Sequence, residues 1–342
     1  MERADVLAAV TLAIARSTQM HKVPETMRAA AIDRFGGPEV LTIHTLPVPD
    51  IEDNEVLIAV HTAGVGSWDA DMRAGWLPDG EQPRFPLVLG TDGSGHVAKV
   101  GSRIRRFKDG EEVYAYSFAN PKGGFYAEYV AVVAEKVAHT PKGLDLEHAG
   151  AIGTIGLTAL QGIDDALGVK KGESVIIHGA TGGVGTLALQ FAKKLRGARV
   201  LGTASGDDGV KLVRKLGADV AVDGKHEDIT AAARNFAPEG VDAVLATVGG
   251  DSLERCIDAV KRGGRVAYPN GVEPEPKKRP GIKLLSYDGT PGVREFEHLN
   301  KAVEEAKLQV PIAAKFKLEE AAKAHERLAQ GHVLGKVVLR VR

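Results

Sequence analysis

The chain has a single cysteine, Cys256, among its 342 residues. That excludes an intrachain disulfide framework and any zinc site built from several cysteines. Cys256 itself reads as a small buried hydrophobe on a helix. Aromatics are sparse too, at 5% of the chain with nine Phe, so the core must be built from Val, Leu, Ile and Ala. No sign of charge dominates. Lys and Arg number 44 against 45 Asp and Glu, a net charge of −1, and nothing steers the protein toward nucleic acid or an anionic membrane. Long apolar runs are missing as well. "VLAAVTLAIARS" (Val6–Ser17) is apolar for about ten residues, too short to span a bilayer. Its flank "MERAD" is not net positive, so residues 1–26 read as an N-terminal extension rather than an export signal.

What the chain has in plenty is glycine, 41 residues, and a clear change of pattern along its length. Residues 27–135 are β-rich: "MRAAAIDRF", "LTIHTLPV", "EVLIAVHTAGV" and "GHVAKVG" alternate or carry β-branched residues, with turns such as "KDGEE" between them. "LDLEHAGAIGTIGLTALQGIDDALGV" then takes helical spacing. From Ser174 to Asp288 short apolar strands ("SVIIHG", "ARVLGTAS", "VDAVLATVG", "GRVAYPNG") alternate with helices. This predicts an α/β fold with a parallel, doubly wound sheet covered on both faces.

One turn in that series carries chemistry. In "SVIIHGATGGVGTLALQFAKK" a strand, a glycine turn and a helix follow one another. The dinucleotide fingerprint G-x-G-x-x-G is met except at its first position, Ala180, with Gly179 just before it. Gly182 would let a pyrophosphate approach the backbone, and Gly185 would let the helix pack close to the strand. Residues 179–185 (Gly179, Ala180, Thr181, Gly182, Gly183, Val184 and Gly185) are therefore expected to bind the cofactor at a helix N-terminus. The next strand ends "LGTAS", placing Ala204 and Ser205 where an acid would take the ribose 2′-OH of NAD. Ser205, with Lys211, Arg214 and Lys225 as nearby cations, favours NADPH over NADH; Asp207 and Asp208 weigh against it.

The stretches "RFGGPEVL", "AGVGSWDADMRAGW", "PLVLGTDGSGHVAKVG", "GGFYAEYV", "GLTALQGI", "HGATGGVG" and "HERLAQGHVLGKVVL", taken together, make the chain similar to the medium-chain dehydrogenase/reductase superfamily. The likeness is to its zinc-independent, zeta-crystallin-like quinone oxidoreductase branch and runs from Met27 to Arg342. The resemblance implies a GroES-like β-rich catalytic domain (27–150 and 290–342) and a Rossmann domain (151–289), with the active site between them. It also implies a cytoplasmic homodimer. Zinc-dependent relatives carry Gly-His-Glu where this chain has Gly90-Thr91-Asp92, and no metal is expected. Relatives often have Asn where Gly66 stands, then Pro or Phe; here Ser67 and Trp68 follow, and Ser67 is the candidate to substitute for the Asn. With Trp76 they are the cleft candidates, and Tyr126 either faces the nicotinamide or packs. Asp69 is expected to pair with Arg73. Thr154 and Thr158 match positions near the nicotinamide, unless they only bond back along their helix. Val248, Gly249, Pro269 and Asn270 lie at carboxyl ends of strands, where ligands bind in such sheets, and Lys336 in the "GK-VL" tail reaches either the cofactor or solvent. The expected reaction is hydride transfer to a quinone or α,β-unsaturated carbonyl. An enoyl-thioester reductase and a non-catalytic RNA-binding relative remain as alternatives.

Overall fold

The computed structural model describes residues 23–78 and 83–342. Val6–Ser17 lies outside the described residues. Ahead of residue 140 the chain forms β1 (Thr26–Ile32), β2 (Thr42–Pro47), β3 (Glu55–Val65), β4 (Leu87–Val88), β5 (Asp92–Val100), β6 (Glu112–Tyr116), β7 (Tyr129–Val133) and β8 (Val137–His139). A short helix, α1 (Ser67–Ala74), follows β3. Strands β1, β2 and β4 make a small antiparallel sheet.

The middle of the chain alternates as the pattern predicts. After α2 (Leu146–Gln161) come β9 (Ser174–His178), α3 (Gly183–Gln190), β10 (Arg199–Ala204), α4 (Gly206–Lys215), β11 (Val220–Asp223), α5 (Ile229–Phe236), β12 (Val241–Ala246), α6 (Asp251–Ile257), β13 (Val260–Pro269) and β14 (Lys283–Tyr287). The six strands form one parallel sheet in the order β11-β10-β9-β12-β13-β14. β9 is central, and all five of its residues are buried. Side chains alternate between faces with the period of two that a strand imposes: Val175 and Ile177 enter one apolar cluster, Ile176 the other. Cys256 is buried in the second cluster, on α6.

The tail returns to the first part. After α7 (Val293–Ala306), β15 (Ile312–Lys317), α8 (Ala321–Ala329) and β16 (Lys336–Arg340) complete a seven-stranded sheet. Its order is β15-β16-β3-β5-β6-β8, with β7 also on β3. No helix among the described residues is long and apolar enough to cross a membrane.

Candidate active site

The two larger sheets border a cleft of about 1470 Å³. One wall is the glycine turn between β9 and α3. Gly179 has φ +77°, and a Cβ there would lie 2.3 Å from Thr247 Oγ1, so the position is closed to other residues twice over. At Gly185 a Cβ would fall 2.1 Å from the carbonyl oxygen of Gly179. Gly182 differs: a Cβ would meet only that same oxygen, at 3.7 Å, and its missing side chain leaves the cleft open. Gly182 is the N-cap of α3 and offers no side-chain cap, so the first N–H groups of the helix are free for an anion.

Gly179, Thr181, Gly182, Gly183 and Val184 line the cleft. Ala180 and Gly185 do not; both are buried and support the turn from behind. The Ala180 N–H bonds to the Thr203 carbonyl at 2.9 Å. Thr203 Oγ1 accepts from the Gly179 N–H (3.1 Å) and lies 2.8 Å from His178 Nδ1. His178 Nε2 lies 3.2 Å from Ser252 Oγ. Burial pulls the His178 pKa down to about 4, and Arg255 adds to the shift. The imidazole is therefore neutral and serves as a brace between β9, β10 and α6, a role its sequence position did not signal.

At the end of β10, Ser205 lines the cleft, as does Lys225 beyond β11. Lys211 is a correction: it is exposed on α4 and not among the cleft residues, because the helix turns that position away. Val248, Pro269 and Asn270 line the cleft. Gly249 does not; it lies against the next loop, where a Cβ would sit 2.5 Å from the Glu273 carbonyl oxygen.

The opposite wall comes from α1, β6, α2 and the C-terminal tail. Ser67, Trp68, Trp76, Thr154, Thr158 and Lys336 all reach it. Thr158 Oγ1 also donates to the Thr154 carbonyl at 2.9 Å. Lys336 is only 4% exposed; its Nζ lies 4.6 Å from the Trp68 ring centroid and 3.9 Å from Asp92 Oδ1. Gly64 makes room for the pair, since a Cβ would come 2.3 Å from that Asp92 oxygen and 2.9 Å from Lys336 Cε. Four polar atoms gathered here are buried without a hydrogen-bond partner: Trp68 Nε1, Asp92 Oδ1, Thr154 Oγ1 and Lys336 Nζ. Burial also raises the Asp92 carboxyl, against the pull of Lys336 and of the Thr154 N–H it accepts at 2.8 Å.

On this side one open alternative closes and one expectation fails. Tyr126 is fully buried and absent from the cleft. It packs over Gly90, where a Cβ would lie 2.5 Å from its Cδ1, and its hydroxyl sits 3.1 Å from His325 Nε2. Asp69 does not pair with Arg73. It is wholly buried and accepts from Gly66 N–H (2.8 Å) and Thr91 Oγ1 (3.0 Å), while Arg73 bonds to the Gly36 carbonyl and His325. Burial lifts the Asp69 carboxyl to about 7 even though Lys336 draws it down. Tyr116, Phe118, Asp288 and His332 also line the cleft without having been singled out. Tyr116 ends a strand, a position that could have marked it.

Two family descriptions match the chain: an alcohol dehydrogenase GroES-like domain over residues 52–142 and a zinc-binding dehydrogenase over 216–339. Among curated proteins it is similar to human quinone oxidoreductase, at 31% identity over 326 residues covering 92% of this chain and 97% of that protein. It is likewise similar to 2-methylene-furan-3-one reductase of Solanum lycopersicum, at 32% identity covering 98% and 84%. A mycobacterial structure complexed with NADPH superposes with TM-score 0.81 at 27% identity, covering 92% of this chain and all of that one. As for zinc, the described residues contain no group of three His, Cys, Asp or Glu able to hold a metal ion. Thr91 and Asp92 are spent on Asp69 and Lys336. The donor set does not fit the ion.

Proposed function

This chain belongs to the medium-chain dehydrogenase/reductase superfamily and is an oxidoreductase, and from that premise we propose that it reduces a quinone or α,β-unsaturated carbonyl with NADPH, without a metal. The observation that carries the proposal is the cleft itself. A glycine turn with free helix N–H groups stands on one side, and an aromatic wall with unpartnered buried donors on the other. When bound, NADPH supplies the hydride. Gly182, Gly183 and Val184 would hold its pyrophosphate, and Ser205 and Lys225 its adenosine end.

Trp68, Trp76, Tyr116 and Phe118 give a flat, conjugated acceptor an apolar surface and keep water from it. The Lys336 ammonium and the Thr154 hydroxyl, neither of which makes a hydrogen bond among the described residues, are the donors at hand for a ligand oxygen on that wall. Tyr116, whose phenol burial raises well above its ordinary value, keeps its proton at neutral pH. A quinone or enone is already electrophilic, so hydrogen bonds suffice to stabilise charge developing on its oxygen. The names of the two curated relatives, a quinone oxidoreductase and a furanone reductase, favour the same acceptor class.

The test is a titration with NADPH and NADH read by nicotinamide fluorescence, followed by consumption of the reduced cofactor with a panel of quinones and enones. Tight NADPH binding and turnover of at least one such acceptor are expected. No binding of either cofactor would overturn the proposal, and so would turnover of an acyl-thioester far above every quinone and enone.

A further inference from the structure

On the acceptor wall, one residue's ring fills the space of another residue's side chain. Gly66, the N-cap of α1, has extended backbone (φ −121°, ψ 165°) that any residue adopts. A neighbour is what forbids a side chain there: a Cβ would lie 2.3 Å from both Trp68 Cε2 and Cζ2, and 2.8 Å from Cδ2. The indole folds back over the start of its own helix and fills the recess that the missing Cβ leaves. Ser67, between the two, is exposed. From β16, Lys336 Nζ holds the ring, 4.6 Å from its centroid.

Trp68 stands where the two walls meet. Lys336 follows Gly335, whose N–H donates to the Thr181 carbonyl of the glycine turn at 2.8 Å. Gly335 also forms an isolated parallel bridge with Gly182. On the other flank α1 runs past Asp71 and Ala74, both in the cleft lining, toward Trp76. The Trp76 ring packs on Phe118 with centroids 6.0 Å apart. Trp68 thus lies between the turn that would hold the pyrophosphate and the aromatic surface that would hold the acceptor, which is where a hydride would pass.

Packing alone does not select tryptophan here. Its Nε1 is buried without a hydrogen-bond partner among the described residues, and a buried donor left unpaired is destabilising. A phenylalanine would cover much of the recess without that penalty. A local cost of this kind, matched to a glycine that accommodates the larger ring, marks a functional position.

We propose that Trp68 is a specificity-determining residue of the acceptor site. By occupying the space at residue 66 it admits small flat acceptors, single-ring quinones and short enones, and shuts out fused-ring quinones. The proposal rests on the quinone and enone reading above. Exclusion by a bulky wall residue discriminates through the rejected ligand. A single methylene group in an apolar pocket already changes kcat/KM by about 10- to 200-fold, so the effect of a whole ring is large enough to measure.

The experiment compares the full chain as wild type, Trp68→Phe, Trp68→Ala, Gly66→Ala and the Gly66→Ala/Trp68→Ala double variant. It reads thermal unfolding, NADPH affinity by nicotinamide fluorescence, and kcat/KM with benzoquinone and with the fused-ring phenanthrenequinone. Trp68→Ala should raise the ratio of phenanthrenequinone to benzoquinone kcat/KM about tenfold or more, with NADPH affinity within about threefold of wild type. Trp68→Phe should fall between the two. Gly66→Ala should lower Tm by several degrees, and that loss should largely vanish when Trp68 is also alanine, because the clash is with the ring. An unchanged ratio in Trp68→Ala overturns the proposal. So does a loss of NADPH affinity that accounts for the loss with both quinones, which makes Trp68 a support for the cofactor. A Gly66→Ala loss that persists without the indole overturns the claim that the ring fills the space at residue 66. A wild type that reduces no quinone or enone overturns the reading beneath the proposal, and the proposal with it.

Discussion

The two walls of the cleft are built on opposite plans. The β9–α3 wall is backbone: four glycines, a helix start and free N–H groups, all within Gly179–Gly185. The opposite wall is side chain: Trp68, Thr154 and Lys336, backed by the buried Asp69 and Asp92, drawn from four elements. A backbone site tolerates little at its glycines but carries no buried charge. A side-chain site has room, yet its stability depends on charges being matched. Substitutions should therefore fail differently on the two sides.

The largest effect is expected on the side-chain wall. Asp92→Asn would leave the Lys336 ammonium buried with its nearest counter-charge gone. Removing one partner of a buried pair typically costs about 3–5 kcal/mol, and chemical denaturation should show a loss of that order. Lys336→Met should cost less, because Asp92, its pKa already raised by burial, can take a proton. The double variant should lose clearly less than the sum of the two. Strict additivity would mean the two groups do not sense each other, and the contrast between the walls would collapse.

Next come two glycines on the backbone wall. Gly185→Val would push a side chain into the Gly179 carbonyl and the Ala180 backbone, neither of which can move without breaking the turn. A loss of about 3 kcal/mol is expected, at the upper end for overpacking. Gly182→Ala has nearly open space, so Tm should stay within a degree or two of wild type, while its methyl group would occupy the approach to the pyrophosphate. Cofactor affinity should fall roughly tenfold or more, a change worth about 1.4 kcal/mol. If Gly182→Ala binds normally, the pyrophosphate does not lie over that turn.

The same contrast explains what could be read in advance. The parallel sheet and the glycine turn were legible because strand periodicity and turn glycines are local signals. "SVIIHGATGGVG" encodes its own geometry in a dozen consecutive residues. The other wall was legible only in part. Trp68 and Trp76 stood out as aromatics, but Asp69 finds its partner in Thr91, and Asp92 finds Lys336 near the far end of the chain. No spacing rule joins such positions. Tyr126 could not be placed from the sequence, because the close approach at Gly90 that lets its ring turn inward joins residues far apart along the chain. Lys211 misled because charge was counted along the chain rather than around the helix.

The smallest effect separates the walls by pH. Asp69 has an ordinary pKa of 3.8 when unfolded and one of about 7 when buried. Between those values the folded chain holds a proton that the unfolded chain has released. Stability due to this group is thus fully present below about pH 4 and is lost as pH rises through 7. One proton corresponds to at most about 1.4 kcal/mol per pH unit, and coupling to Lys336 and Asp92 will keep the observed slope below that. His178 works in the opposite sense: its pKa, lowered to about 4 from 6.5, makes stability rise with pH over that interval. Only a difference between proteins isolates Asp69. Asp69→Asn keeps an oxygen to accept from the Gly66 N–H or the Thr91 hydroxyl, and should flatten the fall in Tm between pH 5 and 7.5 relative to wild type. His178→Gln should alter only the acid limb, below about pH 6.5. If wild type and Asp69→Asn lose stability in parallel across that range, Asp69 is ionised throughout and does not carry the fall.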